Sequence, residues 1–328
     1  MKAINPSRIA SIFILVASIL LLSDCIKSEY YIDPESLEIW EIYNTENGLG
    51  CDSVWTLAED QEGNIWVGTM YNGVSKFDGK TWTNYTTEDG LLDNSVLSIA
   101  QDGYGYMWFG TRSGLSIFYD NTWTNITDFG GVRSILRDYD DNMWIATSDY
   151  AVMEYKNSTW HQYYDSECEW CNVVNVIFED KERNIWLGSD QDLKKIDDQT
   201  VITYTQSDGI PGSSIKSIGQ DMWGNIWVGS TGSSNVARYN NGIFEQVALS
   251  NGLAVNIVSS IAADNRGNVW FGLFVTGAMK FNGSIMESFT VKDGLPGRSV
   301  TIILKDKHGY LWFGTIDGGV AKYMPGLD

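Results

Sequence analysis

A tryptophan recurs along this chain at intervals of 36 to 43 residues, and every copy stands in the same local sequence. Each copy has an aspartate six residues before it, a leucine or isoleucine nine before it, and a valine or isoleucine twelve before it. The seven copies are Trp66, Trp108, Trp144, Trp186, Trp227, Trp270 and Trp312. A sustained period of this length indicates a repeat protein in which each unit is one supersecondary motif.

Each unit predicts four short strands, and the first unit shows the pattern. The first strand contains Val54 and Leu57, and the second is the Ile65–Val67 run, which is apolar at consecutive positions. Such a run predicts a strand that is covered on both faces. A four-stranded sheet packed between two copies of itself meets this condition. We therefore predict an all-β fold, a seven-bladed β-propeller with four-stranded antiparallel blades.

Asp-x-x-Gly-Asn segments, for example Asp60 to Asn64, fall between the first and second strands of three units, and related turns stand in the others. Glycine supplies a positive φ and aspartate accepts hydrogen bonds from turn amides, so these segments predict tight turns. A ring of calcium sites is the alternative interpretation. It is disfavoured because each turn offers one carboxylate, whereas Ca²⁺ takes about six or more oxygen ligands. We expect neither a metal nor a cofactor.

The two ends of the repeat region are complementary. A third strand at Val320–Tyr323 has no fourth strand after it, and the chain stops at Asp328. The segment Glu38–Tyr43 has the sequence of a fourth strand such as Trp82–Tyr85. We expect the N-terminal segment to pair in the last blade and close the ring, which removes an open sheet edge.

The repeated unit resembles the two-component-regulator propeller repeat. The shared motif is (Asp/Asn)-Gly-Leu followed by Val-x-x-Ile-x-x-Asp-x-x-Gly-Asn-Ile-Trp-Val-Gly-Thr, over about residues 37–323. Members of that family commonly place such propellers outside the inner membrane, ahead of a transmembrane helix and a histidine kinase, and some are similar to oligosaccharide sensors. The resemblance implies the fold and an extracytoplasmic location. It implies a stand-alone propeller here, because the sequence shows no kinase.

The N-terminus has the pattern of an export signal. Lys2 and Arg8 precede an apolar run at residues 9–22. That run is typical of a signal peptide and short for a membrane span, which needs about 20 apolar residues. Leu22 to Cys25 resembles a lipoprotein processing site, although that family prefers Gly, Ala or Ser where Asp24 stands.

We therefore predict a signal peptide at 1–24, a tether at 25–36, the propeller at 37–323 and a tail at 324–328. Acylation of Cys25 would anchor the protein in the cell envelope, facing the periplasm or the exterior. Secretion without acylation and an uncleaved membrane anchor are the alternatives.

Composition argues against several functions. The chain has 22 basic and 42 acidic residues and a net charge of −20, which repels nucleic-acid phosphates. His161 and His308 are the only histidines, and they fall in different units. No nucleophile motif, phosphate-binding loop or metal-spaced histidine cluster occurs. We predict no enzyme, although carboxylates at the propeller axis leave a lyase or hydrolase as an alternative.

Cys168 and Cys171 have the spacing of a redox motif, but they fall in a loop between strands. Redox chemistry of the thioredoxin kind needs the cysteine pair at the start of a helix, and a four-thiolate zinc site needs a second pair of cysteines. In an oxidising compartment a small loop disulfide is the favoured interpretation. Unpaired thiols are the alternative.

The internal symmetry is broken most strongly at units three and four. Five interblade loops keep the (Asp/Asn)-Gly-(Leu/Ile) motif, whereas the loop before unit three is short and the loop before unit four carries the two cysteines. Departures from an internal consensus cluster where a structure has another task, although drift in tolerant loops is the alternative. The candidate ligand-binding residues are Arg112, Asp149, Tyr150, Trp170, Asp190 and Gln191.

These observations favour a monomeric module outside the cytoplasm that binds a carbohydrate or a protein partner. A scaffold subunit of an envelope complex is the second hypothesis. A lyase or hydrolase with an axial site, similar to antibiotic-cleaving propeller lyases, is the third.

Overall fold

The structure is a computed structural model, and it describes residues 29–32, 39–148, 152–163, 173–197, 200–212, 214–232, 236–248 and 257–325. Predicted signal-peptide residues 1–24, with Cys25, lie outside these ranges.

The strands assigned in these ranges form seven antiparallel sheets, which we number as blades in chain order. Two N-terminal strands, β1 (Glu29–Ile32) and β2 (Ile39–Tyr43), precede blade one. Blade one has β3 (Val54–Glu59), β4 (Ile65–Thr69), β5 (Val74–Phe77) and β6 (Trp82–Tyr85). Blade two has β7 (Val96–Gln101), β8 (Met107–Thr111), β9 (Gly114–Tyr119) and β10 (Thr122–Ile126). Blade three has β11 (Val132–Arg137), β12 (Met143–Thr147), β13 (Val152–Lys156) and β14 (Thr159–Tyr163).

The remaining blades repeat this order. Blade four has β15 (Val174–Glu179), β16 (Ile185–Ser189), β17 (Leu193–Asp197) and β18 (Thr200–Tyr204). Blade five has β19 (Ile215–Gln220), β20 (Ile226–Ser230), β21 (Val236–Asn240) and β22 (Ile243–Gln246). Blade six has β23 (Val258–Ala263), β24 (Val269–Leu273), β25 (Gly277–Phe281) and β26 (Met286–Phe289). Blade seven has β27 (Val300–Lys305), β28 (Leu311–Thr315) and β29 (Gly319–Met324).

The blades form a closed ring around their first strands. The first strand of every blade contacts the first strand of the next, and β27 of blade seven contacts β3 of blade one. The second strands are buried along their whole length, as a strand covered by blades on both faces must be. The predicted seven-bladed propeller is confirmed.

The N-terminal strand closes the last blade, as predicted. Strand β2 pairs with β29 in a register that sets Ile39 opposite Met324 and Tyr43 opposite Val320. The buried Trp40 ring lies 4.6 Å from Tyr323 and 5.3 Å from Phe313, measured between ring centroids. Strand β1 then pairs with β2, so blade seven has a fifth strand within the segment expected to be a tether.

Trp40 occupies the place that fourth-strand aromatics take in other blades. Gly294, in the loop before β27, has a φ of +114°, and a Cβ there would come within 2.4 Å of the Trp40 ring. Gly48 has the same left-handed backbone conformation, and a Cβ there would lie 3.1 Å from the Trp82 side chain of blade one. The interblade glycine therefore lets the loop lie flat on this aromatic, and β2 is structurally equivalent to β6.

One hydrogen bond recurs in all seven units. The repeat aspartate accepts the indole N–H of the tryptophan six residues later, at N–O distances of 2.7 to 3.1 Å. Its other carboxylate oxygen accepts the backbone N–H four residues on, for example Asn225 N–H to Asp221 Oδ1 at 2.9 Å. Each carboxylate thus joins the tight turn to the middle of the second strand.

Trp40→Ala should lower the free energy of unfolding by about 3–5 kcal/mol, since it removes a fully buried aromatic side chain from the closing strand. Urea denaturation measures this value. Trp223→Ala is the matched control, because Trp223 is 65% exposed in a turn of blade five and should cost less than about 0.5 kcal/mol. An unchanged unfolding free energy in Trp40→Ala would contradict the closure.

Candidate binding site at the mouth of the central channel

The loops divide between two faces of the ring. We define the upper face as the one that carries the loops after the second and fourth strands, and the lower face as the one with the Asp-x-x-Gly turns. On the upper face, the residue four positions after each repeat tryptophan donates its backbone N–H to the carbonyl oxygen just before a first strand. Arg112 N–H to Ser95 O, at 3.2 Å, is one of seven such bonds. The loops after the second strands are thereby fixed around the channel mouth.

Every first strand contains a bulge at the same place. The register between first and second strands shifts just after the initial valine or isoleucine, in all seven blades. A bulge leaves one residue unpaired and redirects its side chain. The seven bulge residues are Trp55, Leu97, Arg133, Asn175, Lys216, Ser259 and Thr301. All of them line one cavity at the axis of the ring.

That cavity has a volume of about 980 Å³ and its wall is built in tiers. The bulge residues form the first tier. The next residue of each first strand forms the second tier, in which five of seven are hydroxyl residues: Thr56, Ser98, Ser134, Ser217 and Ser260. The repeat leucine and isoleucines follow as an apolar tier, with Leu57, Ile99, Ile135, Ile218, Ile261 and Ile303 on the wall. The variable side chains therefore stand nearest the upper face.

Several hydroxyls of the wall are used inside the protein. Ser217 Oγ donates to Val258 O at 2.9 Å, and Ser260 Oγ accepts from Ile303 N–H at 2.9 Å. Thr301 Oγ1 donates to Val54 O at 3.0 Å. These bonds tie neighbouring first strands together, so hydroxyl groups of both tiers stabilise the ring.

The charge of the cavity wall is opposite to that of the chain. Among the described residues that line the cavity, none is an aspartate or a glutamate, and three are cations: Arg112, Arg133 and Lys216. The protein as a whole has a net charge of −20. The described wall of the cavity is therefore locally positive on an acidic molecule, which attracts anions by Coulomb interaction.

Lys216 has an acidic neighbour beside the cavity. Its Nζ lies 3.2 Å from Asp190 Oδ1, which also accepts hydrogen bonds from Ser214 Oγ at 2.5 Å and Asn175 Nδ2 at 2.8 Å. Partial burial alone would raise the pKa of Asp190, but the bonds from Ser214 and Asn175 and the charge of Lys216 hold this pKa below its usual value. Asp190 is thus a charged structural partner of the blade-five bulge.

The two arginines come from adjacent blades that are joined at the mouth. Gly131 N–H donates to Ser148 Oγ at 2.8 Å, and Ser148 N–H returns a bond of 2.8 Å to Gly131 O. A Cβ at Gly131 would come within 2.9 Å of the Arg112 carbonyl oxygen, so only glycine permits this approach. The contact brings the Arg112 loop of blade two against the chain that leads into Arg133 of blade three.

The structure brings two of the six predicted ligand-binding residues to this mouth. Arg112 lines the cavity. Asp190 lies next to the cavity, where its carboxylate forms an ion pair with the lining residue Lys216. Gln191 is exposed and does not line the cavity. Asp149, Tyr150 and Trp170 lie outside the described residues, as do Cys168 and Cys171 of the expected disulfide.

The bulge ring was missed by the sequence analysis, although a signal for it exists. The position directly after the conserved valine or isoleucine is occupied by seven different residue types, between positions that hardly vary. Aligning the seven units and asking which internal positions differ in every unit would have selected Trp55, Arg133 and Lys216, together with the position four residues after each repeat tryptophan, which includes Arg112.

Other possible chemistry lies away from the channel. His161 is exposed on the outermost strand of blade three, and His308 is exposed in a turn of the lower face. Within the described ranges, no three His, Cys, Asp or Glu side chains are grouped as metal ligands. In the same part of the chain, no helix has the length and apolar character of a membrane span.

Fold and site together define the class: a β-propeller of seven blades whose variable residues surround one end of the channel. The chain carries two-component regulator propeller repeats, since the model of that family matches residues 48–71, 90–113, 128–149, 252–274 and 294–317. The matched segments belong to blades one, two, three, six and seven. No curated protein matches the sequence.

Solved structures share the fold at low sequence identity. The extracellular domain of the hybrid two component system BT3049 from B. thetaiotaomicron is 22% identical with a TM-score of 0.74, and the match covers 90% of this chain and 45% of that one. PorZ, a surface component of the type-IX secretion system of Porphyromonas gingivalis, is 15% identical with a TM-score of 0.69, at coverages of 90% and 52%. Virginiamycin B lyase from Staphylococcus aureus is 13% identical with a TM-score of 0.72, at coverages of 88% and 99%. This chain thus spans about half of the first two proteins.

Proposed function

We propose that this protein is a non-catalytic binding module that acts outside the cytoplasm and holds its ligand at the upper mouth of the channel. The observation that carries the proposal is the bulge ring: seven equivalent positions line one cavity, and seven different side chains occupy them. A uniform ring suits no asymmetric ligand. Different side chains at equivalent positions on the wall of a cavity are what specific recognition requires.

The mouth offers the groups that a saccharide or a small protein segment would contact. Trp55 is half-buried and supplies an aromatic surface, while Arg112 and Arg133 supply exposed hydrogen-bond donors. A pocket with one aromatic surface and a few polar groups is the usual composition of a ligand site. The extracytoplasmic location is supported by the propeller repeats and by the likeness to extracellular domains.

The lyase alternative gains support from the fold alone. The virginiamycin B lyase structure covers 88% of this chain but is only 13% identical to it. The two histidines of this chain lie on an outer strand and on the lower face, away from the cavity, so the general acid or base that histidine most often supplies is not at the axis. The binding proposal therefore fits the position of the residues better than the lyase does.

Trp55→Ala, Tyr150→Ala and Trp170→Ala should each weaken binding about tenfold or more, because aromatic anchors contribute most of the affinity at such sites. The ligand is first found by glycan array or by pull-down, and its affinity is then measured by titration calorimetry. Trp223→Ala, on the lower face, is the matched control and should leave the affinity unchanged. An affinity that none of these three substitutions changes would contradict the proposal and favour a scaffold that uses another surface.

We further propose that Cys25 is acylated and tethers the propeller to a membrane. Metabolic labelling with a palmitate analogue should tag the wild-type protein and spare Cys25→Ser, since only the thiol of that residue lies at the expected processing site. Equal labelling of both proteins would contradict this assignment. Absence of label from both would indicate the secreted form, with Asp24 as the cause.

A further inference from the structure

The charges on the cavity wall indicate the charge of the ligand that the channel mouth would bind. The described wall of the cavity holds three cations and no carboxylate, although 42 acidic residues occur in the chain. If charges were spread evenly, carboxylates would outnumber cations on any large surface of this protein. The described residues of this wall therefore carry the opposite sign of charge to the chain as a whole.

Two of the three cations have no side-chain partner among the residues that the structure describes. Lys216 is within 3.2 Å of Asp190, which balances its charge. The Arg112 and Arg133 side chains make no ion pair or hydrogen bond with any group in the part of the chain that the structure describes. By contrast, Arg137, Arg183 and Arg238 are each paired with a carboxylate. Two of the three described arginines without a side-chain partner, Arg112 and Arg133, thus lie where the cavity opens, and the third, Arg298, lies outside the cavity.

The local backbone holds these two arginines in place. Arg112 is anchored by its N–H to Ser95 O, and its carbonyl oxygen lies against Gly131, two residues before Arg133. Arg133 occupies the bulge of β11, whose flanking residues are fixed by the strand pairing with β12. Both side chains therefore rise from rigid backbone toward the same opening. Preorganised guanidinium groups bind carboxylate and sulfate oxygens in pairs of parallel hydrogen bonds.

We propose that the channel mouth recognises the anionic group of an acidic saccharide, a uronate carboxylate or a sulfate, through Arg112 and Arg133. This inference rests on the proposed function, since it assigns a ligand class to the same mouth. The sugar ring lies toward Trp55, where an aromatic surface can stack against it, and the anion lies between the two guanidinium groups. The net charge of −20 of the whole chain disfavours a long polyanion such as nucleic acid.

The test begins with a glycan array that carries neutral, uronate-containing and sulfated oligosaccharides, probed with the purified protein. We expect retention of uronate or sulfated members and little retention of their neutral counterparts. The best-retained oligosaccharide is then titrated by calorimetry at about 0.15 M ionic strength, where long-range repulsion is screened beyond about 8 Å. Retention of one anionic class and not the other identifies the anion as carboxylate or sulfate.

Arg112→Ala and Arg133→Ala should each weaken the binding of that oligosaccharide about tenfold or more, since each removes a charge-assisted pair of hydrogen bonds. Arg298→Ala is the matched control. Arg298 is also exposed on the upper face and has no described side-chain partner, but it does not line the cavity. Its change should leave the affinity within about twofold.

The outcomes separate this inference from the proposed function. Equal losses in Arg112→Ala, Arg133→Ala and Arg298→Ala would indicate a general charge effect and overturn the inference. Retention of neutral saccharides alone, with an affinity that depends on Trp55, would overturn the assignment of an anionic ligand. It would leave the mouth as the binding site. An affinity that is unchanged by the substitutions of Trp55 and of both arginines would overturn both proposals.

Discussion

The hydrogen bond from the repeat tryptophan to the repeat aspartate is the interaction on which the rest of this structure depends. Six of the seven aspartates are buried, and each accepts the indole N–H and turn amides at the same time. A buried carboxylate is costly unless donors surround it, so the turn and the second strand must keep one relative geometry in every blade. That common geometry makes the units stackable, and stacking buries the second strands on both faces.

Closure of the ring follows from this uniformity and leaves function to a few positions. Since β2 completes the last blade, the sheets present their faces to one another and their first strands to the channel. Most residues of the repeat are then committed to packing or to turns. The bulge removes one residue per blade from the strand pairing, so this pairing does not fix the residue type there, although Thr301 and Lys216 also bond to neighbouring groups. Arg133, whose side chain has no described partner, can therefore vary without disturbing the ring.

The fold could be predicted because its determinants are periodic in the sequence: the Asp–Trp spacing, the doubly apolar second strand and the fourth-strand pattern at Glu38–Tyr43. The aspartates were assigned to turns alone, since the bond to the indole depends on how the hairpin folds back. Arg112 was found because it is a lone cation in the blade-two loop beside the two units that depart from the internal pattern. Arg133 was not found, because its neighbours follow the pattern and a register shift leaves no mark in hydrophobic periodicity. The cavity that unites them is a property of the closed ring.

The most direct test of the central claim is a double-mutant cycle on one Asp–Trp pair. The free energy of unfolding is measured by urea denaturation for wild type, Asp221→Ala, Trp227→Phe and the double variant. The indole N–H of Trp227 lies 2.9 Å from Asp221 Oδ2, and a hydrogen bond to a charged group contributes about 1.5–3 kcal/mol. We predict a coupling energy of that size, so that the double variant loses less stability than the two single changes together. Additivity within about 0.5 kcal/mol would contradict the account.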